Sequence, residues 1–351
     1  MTASIMSQIF LIIFLISVFS TLLIKYLALK FNVVDYPDSS RKIHDKAVPL
    51  LGGLAIGFSF FLALYLNRVD ILARGLTAAH LISFFLGALI IIIGGALDDI
   101  FDLSPKQQIV FPLLACLLVI GGGIGIVKIT NPWGGLFYFS GLTAAALTIA
   151  WLMGMMYTTK LLDGVDGLVS GLGVISGLVI FLFTMTTKYY QPDVGLMGLI
   201  FAAAGGGFLL FNFYPAKIFL GESGSLLVGY IIGVLAIISG AKIAIALLIM
   251  GIPILDVAWT ILRRLLSNQN PFTMPDSLHL HHRLLASGLS QRQTVLLYYF
   301  LAAAFGSAAL FLQSRGKLVA LAVLAILMVG IAFASIFLPK ARRIDKESKS
   351  V

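Results

Sequence analysis

The sequence predicts an all-α integral membrane protein of about eleven transmembrane helices, with its N-terminus outside, its C-terminus cytoplasmic and a small extracytoplasmic β-hairpin. Three observations predict this. Of the 351 residues, 60% are apolar and 11% charged, against about 25% charged in soluble domains. Apolar runs near the ~20 residues that cross hydrocarbon as a helix recur from end to end, which leaves no room for a separate soluble domain. Lys and Arg are also shared unevenly between alternate loops, the pattern that sets membrane orientation.

The expected spans are residues 8–30, 51–66, 79–97, 106–125, 141–157, 168–186, 194–212, 222–239, 241–262, 294–313 and 318–338. The first lacks a charged start and a small-residue cleavage site, so it reads as a retained helix and not as a signal peptide. Between the fourth and fifth spans, "VKITNPWGGLFYF" alternates like strand around Asn-Pro and Gly-Gly breaks, which predicts the hairpin and nothing catalytic. Cys116 is the only cysteine, so no internal disulfide forms, and it reads as a small apolar core residue. Glycines number 35, many inside spans, as close helix approach in a bilayer demands.

With eleven spans the termini lie on opposite sides. Seventeen of the 24 cationic residues then share one face, and the remaining seven (Arg68, Arg74, Lys128, Lys188, Lys242, Arg315 and Lys317) lie on the other, so the richer face is cytoplasmic. The whole chain, 1–351, reads as a single multi-pass domain. Its loops 31–50, 98–105, 158–167, 213–221 and 263–293 are expected to form one cytoplasmic site, followed by a basic tail over 340–351. Lys and Arg alone set this orientation, and on it Asp98, Asp99, Asp102, Asp163, Asp166 and Glu222 are all expected at cytoplasmic helix ends.

Four clusters carry the chemistry. In "GALIIIIGGALDDIFD", a helix continued through Asp102 would bring its carboxylate near those of Asp98 and Asp99, and like charges so close call for a cation. A hard ion such as Mg2+, with Mn2+ as the alternative, takes oxygen ligands from one or two carboxylates plus substrate phosphates. "KLLDGVDGLVSG" sets Asp163 and Asp166 one turn apart among glycines that let backbone approach a ligand. "NFYPAKIFLGESGS" offers Asn212, Lys217 and Glu222 at the turn into the eighth span. In "DSLHLHHRLL", His279, His281 and His282 adjoin Arg283, with Arg263 and Arg264 opening the same loop; without cysteine partners these favour an anionic guest over a transition metal. A further basic stretch, "YPDSSRKIHDKAVPLLGG", supplies Arg41, Lys42 and His44, and Lys106 follows the first acidic cluster.

Acids suited to Mg2+ and bases suited to phosphate oxygens, gathered at one membrane surface, are the parts of phosphoryl transfer. The interface implies a lipid phosphate held in the bilayer and a soluble phosphorylated donor. No nucleic acid is expected as a partner.

The ordered landmarks "DYPDSSRKIHDKAVPLLGG", "DDIFDLSPK", "LLDGVDGL", "NFYPAKIFLGESGS", "PILDVAWTILRR" and "HLHHRLL" resemble the polyprenyl-phosphate N-acetylhexosamine-1-phosphate transferases, of glycosyltransferase family 4 type, which include the phospho-N-acetylmuramoyl-pentapeptide transferases. The resemblance runs from Asp35 to about Arg292. It implies transfer of a sugar-1-phosphate from a UDP-sugar to undecaprenyl or another polyprenyl phosphate, with release of UMP, use of Mg2+, and initiation of lipid-linked cell-envelope glycans at a prokaryotic plasma membrane. "HLHHRLL" is more similar to the N-acetylglucosamine branch. Carried over by position, Asp98, Asp99, Asp166 and His281 match catalytic positions, and Glu222, Asp99 and Asp166 match metal positions. Arg41, Lys42, His44, Lys106, Lys160, Asp163, Asn212, Lys217, Arg263, His279, His282 and Arg283 become substrate-binding candidates. A homodimer is the family-level expectation.

Two positions depart from the family pattern: Lys160 stands where relatives commonly have Asn, and Glu222 where they have Asp. The two changes are expected to be coupled as an ion pair, moving Mg2+ toward Asp98, Asp99 or Asp166 or weakening its binding. Asp256, matched through Pro253 to a "P-x-x-D" pattern, is an acid inside a span, at about 2.5 to 3.5 kcal/mol on insertion scales. It reads as a supporting residue, with Arg263 or Arg264 as the expected partner.

Two other readings compete. "DDIFD" also fits the pattern by which intramembrane prenyltransferases hold an isoprenoid diphosphate through Mg2+, although that leaves the His and Arg loop unexplained. A cation-coupled transporter would also use membrane acids, but nearer mid-bilayer.

Overall fold

Helix is the only open-ended way for so apolar a chain to satisfy its backbone in lipid. The computed structural model describes residues 2–37, 47–186, 190–240, 243–266 and 279–337. The chain begins with α1 (Ala3–Lys30), then a two-residue ladder of β1 (Val34–Asp35) and β2 (Val48–Pro49), α2 (Gly52–Leu66) and the short α3 (Arg68–Leu72). Next come α4 (Ala78–Phe101), α5 (Pro105–Gln108) and α6 (Val110–Gly121), followed by β3 (Lys128–Thr130) and β4 (Leu136–Tyr138). The last two pair antiparallel with Ile129 opposite Phe137, so the expected hairpin is present.

Four packed helices form the middle of the chain: α7 (Gly141–Leu162), α8 (Leu168–Thr184), α9 (Pro192–Asn212) and α10 (Gly221–Ile238). After them run α11 (Ile243–Ile249), α12 (Gly251–Leu266), the short α13 (Leu280–Ala286), α14 (Gln291–Phe311) and α15 (Ser314–Phe337). Among the described residues seven helices are long and apolar enough to cross a membrane. The bent pair α11 and α12 makes an eighth candidate, and the remaining expected spans fall on the shorter apolar helices α2, α5–α6 and α8. The protein is therefore an all-α, multi-pass membrane protein.

Local chemistry explains the boundaries. Thr77 and His80 form a reciprocal cap at the start of α4, as Ser290 and Gln293 do for α14. Pro192 opens α9, where a missing N–H costs nothing. Two expected spans are interrupted. The fourth is split at Ile109, with α6 ending at Gly121. The ninth turns through 83° between α11 and α12, because Pro253 lacks the N–H that would bond Ile249 and its ring crowds that carbonyl.

α9 and α10 form the interior of the bundle, 78% and 83% buried over their most apolar stretches. Glycine permits the approach: a Cβ at Gly177 of α8 would lie 2.7 Å from the Gly198 carbonyl of α9, and one at Gly53 of α2 would lie 2.3 Å from the Gly224 nitrogen of α10. Around this interior, Phe60, Phe84 and Phe201 make edge-on ring contacts at 5.7 to 5.9 Å.

Candidate active site

Chain reversals at the ends of α4, α7 and α9 and the start of α10 bring three of the four clusters together. Gly221 takes φ +70°, and a Cβ there would lie 2.5 Å from Asp99 Oδ2. The close approach lets the Glu222 N–H donate to Asp99 Oδ1 at 2.9 Å. The next link runs through the Ala216 N–H, which donates to Asp166 Oδ2 at 2.9 Å and ties the "DGVDG" turn to the "YPAK" turn. Phe219 and Leu220 meanwhile exchange backbone bonds with Pro49, Gly52 and Gly53, so the 47–53 segment borders the same turn.

The paired acids differ in how they are engaged. Asp98 is buried, and its Oδ1 accepts from the Leu103 N–H at 2.8 Å and from Gln108 Nε2 at 3.0 Å. Asp99 Oδ2 is buried without a hydrogen-bond partner. Asp102 is not with them. α4 stops at Phe101, and Asp102 turns into the left-handed region at φ 52° with its side chain exposed, so the expected three-acid helical cluster is corrected to two.

Lys160 and Glu222 form the expected ion pair, Nζ to Oε2 at 2.9 Å, and Lys160 also donates to Gln108 Oε1 at 2.9 Å. Asp163, just past the last residue of α7, is held well above the ordinary carboxylate range by desolvation, reinforced by the charges of Glu222, Asp99 and Asp166. Acids this mutually repulsive suit a divalent ion. Among the described residues no three His, Cys, Asp or Glu side chains form a closed metal cage, but Mg2+ needs only one or two carboxylates when phosphates complete its shell. The desolvated Asp163 carboxylate, facing the charges of Glu222, Asp99 and Asp166, fits that demand.

The fourth cluster reaches the second through α13. A Cβ at Gly164 would meet His281 Nε2 at 3.1 Å and His282 Cε1 at 3.6 Å. His279 and His281 stack nearly parallel at 5.7 Å, and His281 lies 4.2 Å from His282, ring centre to ring centre. His281 is 1% exposed with both ring nitrogens unpartnered; burial, then the charges of His282 and His279, lowers its pKa well below the ordinary histidine range.

Asp256 has a different partner from the arginines expected. Its Oδ2 bonds His279 Nδ1 at 2.9 Å and its Oδ1 accepts from the Leu280 N–H at 3.0 Å, so the acid in the bent helix anchors the start of α13. Asn212 is buried and structural in its contacts: it accepts from Ser170 Oγ at 2.6 Å and donates to the Ile218 carbonyl. Lys106 and Lys217 are exposed at the rim, and Arg263, His282 and Arg283 are half-buried. Arg41, Lys42 and His44 lie outside the described residues.

Residues 81–240 match the model of the family described as glycosyl transferase family 4. The chain is 35% identical, over 90% of its length and 88% of the relative's, to a Bacillus subtilis protein named "Probable undecaprenyl-phosphate N-acetylglucosaminyl 1-phosphate transferase". The chain belongs to glycosyl transferase family 4. A Mycobacterium tuberculosis relative of this family, named decaprenyl-phosphate N-acetylglucosaminephosphotransferase, is 30% identical over 94% of the chain and 88% of its own length. Another, from Thermotoga maritima, is named undecaprenyl-phosphate alpha-N-acetylglucosaminyl 1-phosphate transferase and is 30% identical over 76% of the chain and 78% of its own length.

Within this family 4 site, two contributors escape sequence reasoning. Gln108 links Asp98 to Lys160, and Tyr299 of α14 donates to the Gly167 carbonyl beside Asp166. Neither has a motif of its own. Gln108 follows the Ser104-to-Gln107 capping pattern and reads as the polar start of a span, while Tyr299 lies among apolar neighbours within one.

Proposed function

We propose that this glycosyl transferase family 4 member transfers N-acetylglucosamine-1-phosphate from UDP-N-acetylglucosamine to a polyprenyl phosphate at the cytoplasmic face of the membrane, releasing UMP. The observation that carries the reading is the convergence of the paired acids, the "DGVDG" turn, the "GESGS" turn and the histidine helix at one end of the bundle. The names of the relatives supply the sugar and the lipid class. The excess of Lys and Arg on the same loops supports the cytoplasmic side.

In this reading an oxygen of the lipid phosphate attacks the phosphorus that bears the sugar. A new P–O bond joins the two phosphates, and the P–O bond to UMP breaks. Asp99 Oδ2 accepts the proton carried by the lipid phosphate, since it is the unengaged oxygen of the pair, while Asp98 stays fixed by its two donors. Asp163, with Asp166 in the same turn, would hold Mg2+, with Glu222 withdrawn toward Lys160 and Asp99 Oδ2 left to take the proton; when bound, the ion would supply charge neutralisation for the phosphates. His279, His281 and His282, with Arg263 and Arg283, face the donor diphosphate as hydrogen-bonding and cationic groups.

Purified protein incubated with polyprenyl phosphate and a panel of UDP-sugars tests this directly. UMP release with UDP-N-acetylglucosamine is expected. Release of inorganic diphosphate from an isoprenoid diphosphate would favour the prenyltransferase reading, and solute movement in sealed vesicles without a lipid-linked product would favour transport.

A further inference from the structure

Gln108 is the last residue of the four-residue helix α5, and its side chain spans two motifs that lie far apart in sequence. Nε2 donates to Asp98 Oδ1 at 3.0 Å and to the Leu103 carbonyl at 2.8 Å, and Oε1 accepts from Lys160 Nζ at 2.9 Å. This orientation of the amide is forced by its neighbours. Reversed, it would turn its carbonyl oxygen on a carboxylate and a second carbonyl, and its NH2 group on an ammonium.

Lys160 in turn pairs with Glu222 at 2.9 Å. A continuous strut therefore runs from Asp98 through Gln108 and Lys160 to Glu222, joining α4, α5, α7 and α10. It sorts the carboxylates. Asp98 receives two N–H donors and Glu222 receives an ammonium, whereas Asp99 has one oxygen on the Glu222 N–H and the other buried and open. A glutamine needed only to close the loop after α4 would require the Leu103 bond alone. The contact to Lys160 crosses 52 residues to another helix.

We propose that Gln108 is a positioning residue: by bridging Asp98 and Lys160 it fixes Asp98 as an acceptor and steers the Lys160 ammonium onto Glu222, leaving Asp99 as the carboxylate open to substrate. This inference rests on the function proposed above for the same site. Gln108→Met keeps most of the volume and removes all three hydrogen bonds. Gln108→Glu keeps an acceptor for Lys160 but sets an oxygen against Asp98.

Two readouts separate positioning from simple support: the division between kcat and KM in UMP release, and Mn2+ binding to the resting protein by electron paramagnetic resonance, which needs no turnover. Both variants are expected to lose about 10- to 100-fold in kcat, as a misplaced group does, with the KM for UDP-N-acetylglucosamine within about twofold. Mn2+ affinity in Gln108→Met is expected to change severalfold as Glu222 is released. Wild-type kcat and Mn2+ affinity in Gln108→Met would overturn the inference. Should that variant fail to accumulate, wild-type kcat in Gln108→Glu would overturn it equally. A wild-type protein that releases no UMP would defeat the proposed function, and the Mn2+ comparison would still judge the strut.

Discussion

Helices α10 and α15 are of comparable hydropathy, yet 83% of the most apolar stretch of α10 is buried inside the protein and 17% of that of α15. Hydropathy reports the solvent of a segment, and lipid and protein interior are nearly the same solvent for Leu or Ile. What separates the two helices is glycine. Along α10, a Cβ at Gly224 would meet the Gly53 backbone at 2.9 Å, and one at Gly229 the Met155 carbonyl at 2.5 Å. On α15, a Cβ at Gly330 would meet nothing within 4 Å. The interior helix also opens at Gly221 and Glu222, so close packing and the candidate chemistry are placed by the same element.

The largest expected effect breaks this comparison at its tightest point. Gly53→Val forces a side chain into the Gly224 backbone, 2.3 Å from the added Cβ. A cost at or above about 3 kcal/mol is expected, the upper end for overpacking, because backbone cannot rotate away. Melting in detergent should show Gly53→Val strongly destabilised or absent from the membrane, while Gly330→Val melts with the wild type. Equal melting of the two variants would remove the distinction between interior and lipid-facing glycine.

That distinction marks where the sequence is legible. Span positions follow from apolar run length, a one-dimensional property, and each expected span falls on helix. The hairpin is legible because Asn-Pro and Gly-Gly punctuate a short alternating run. The 83° break leaves no hydropathy signal, because the apolar run continues across residues 241–262 despite Pro253. Within the site, the charged residues and the Lys160–Glu222 pair were legible as side-chain types. Their engagement was not. Whether Asp98 or Asp99 has a free oxygen depends on where the Leu103 N–H, the Glu222 N–H and the Gln108 amide point. The first and last act within ten residues of Asp98 but through side-chain and turn geometry that residue type does not report, and the second reaches Asp99 across 123 residues.

Asp99→Asn sharpens the comparison at the site end of α10. The substitution preserves shape and leaves Oδ1 as an acceptor for the Glu222 N–H, so melting should change little. Loss of a general base typically costs 10²- to 10⁴-fold, and a fall in kcat of about that size is expected in UMP release. Retention of kcat within about threefold would move the base elsewhere.

A smaller effect is expected where α12 meets α13. Asp256 is 4% exposed and holds both the His279 ring and the Leu280 N–H, so Asp256→Asn keeps an acceptor but loses the charge. A charge-assisted bond exceeds a neutral one by about 1 kcal/mol, which corresponds to about a fivefold rise in KM for UDP-N-acetylglucosamine with kcat largely kept. A fall in kcat without a change in KM would place Asp256 in the chemistry and not in the anchoring of the donor loop.

The smallest expected effect is at Asp102, three residues beyond Asp99 and on the other side of the divide between interior and surface. Its side chain is exposed and its backbone is left-handed at φ 52°, a conformation that Asn tolerates at least as well as Asp. Asp102→Asn should therefore leave melting and UMP release within about 0.5 kcal/mol of wild type, the usual range for a surface substitution. The same variant discriminates between uses of "DDIFD". A site gripping a diphosphate through both ends of that motif requires Asp102 as much as Asp98. Loss of activity on a par with Asp99→Asn would mean that α4 extends through Asp102 in the working protein and that the two-acid site is mistaken, whereas wild-type activity leaves the paired acids and their partners on α5, α7 and α10 as the working set.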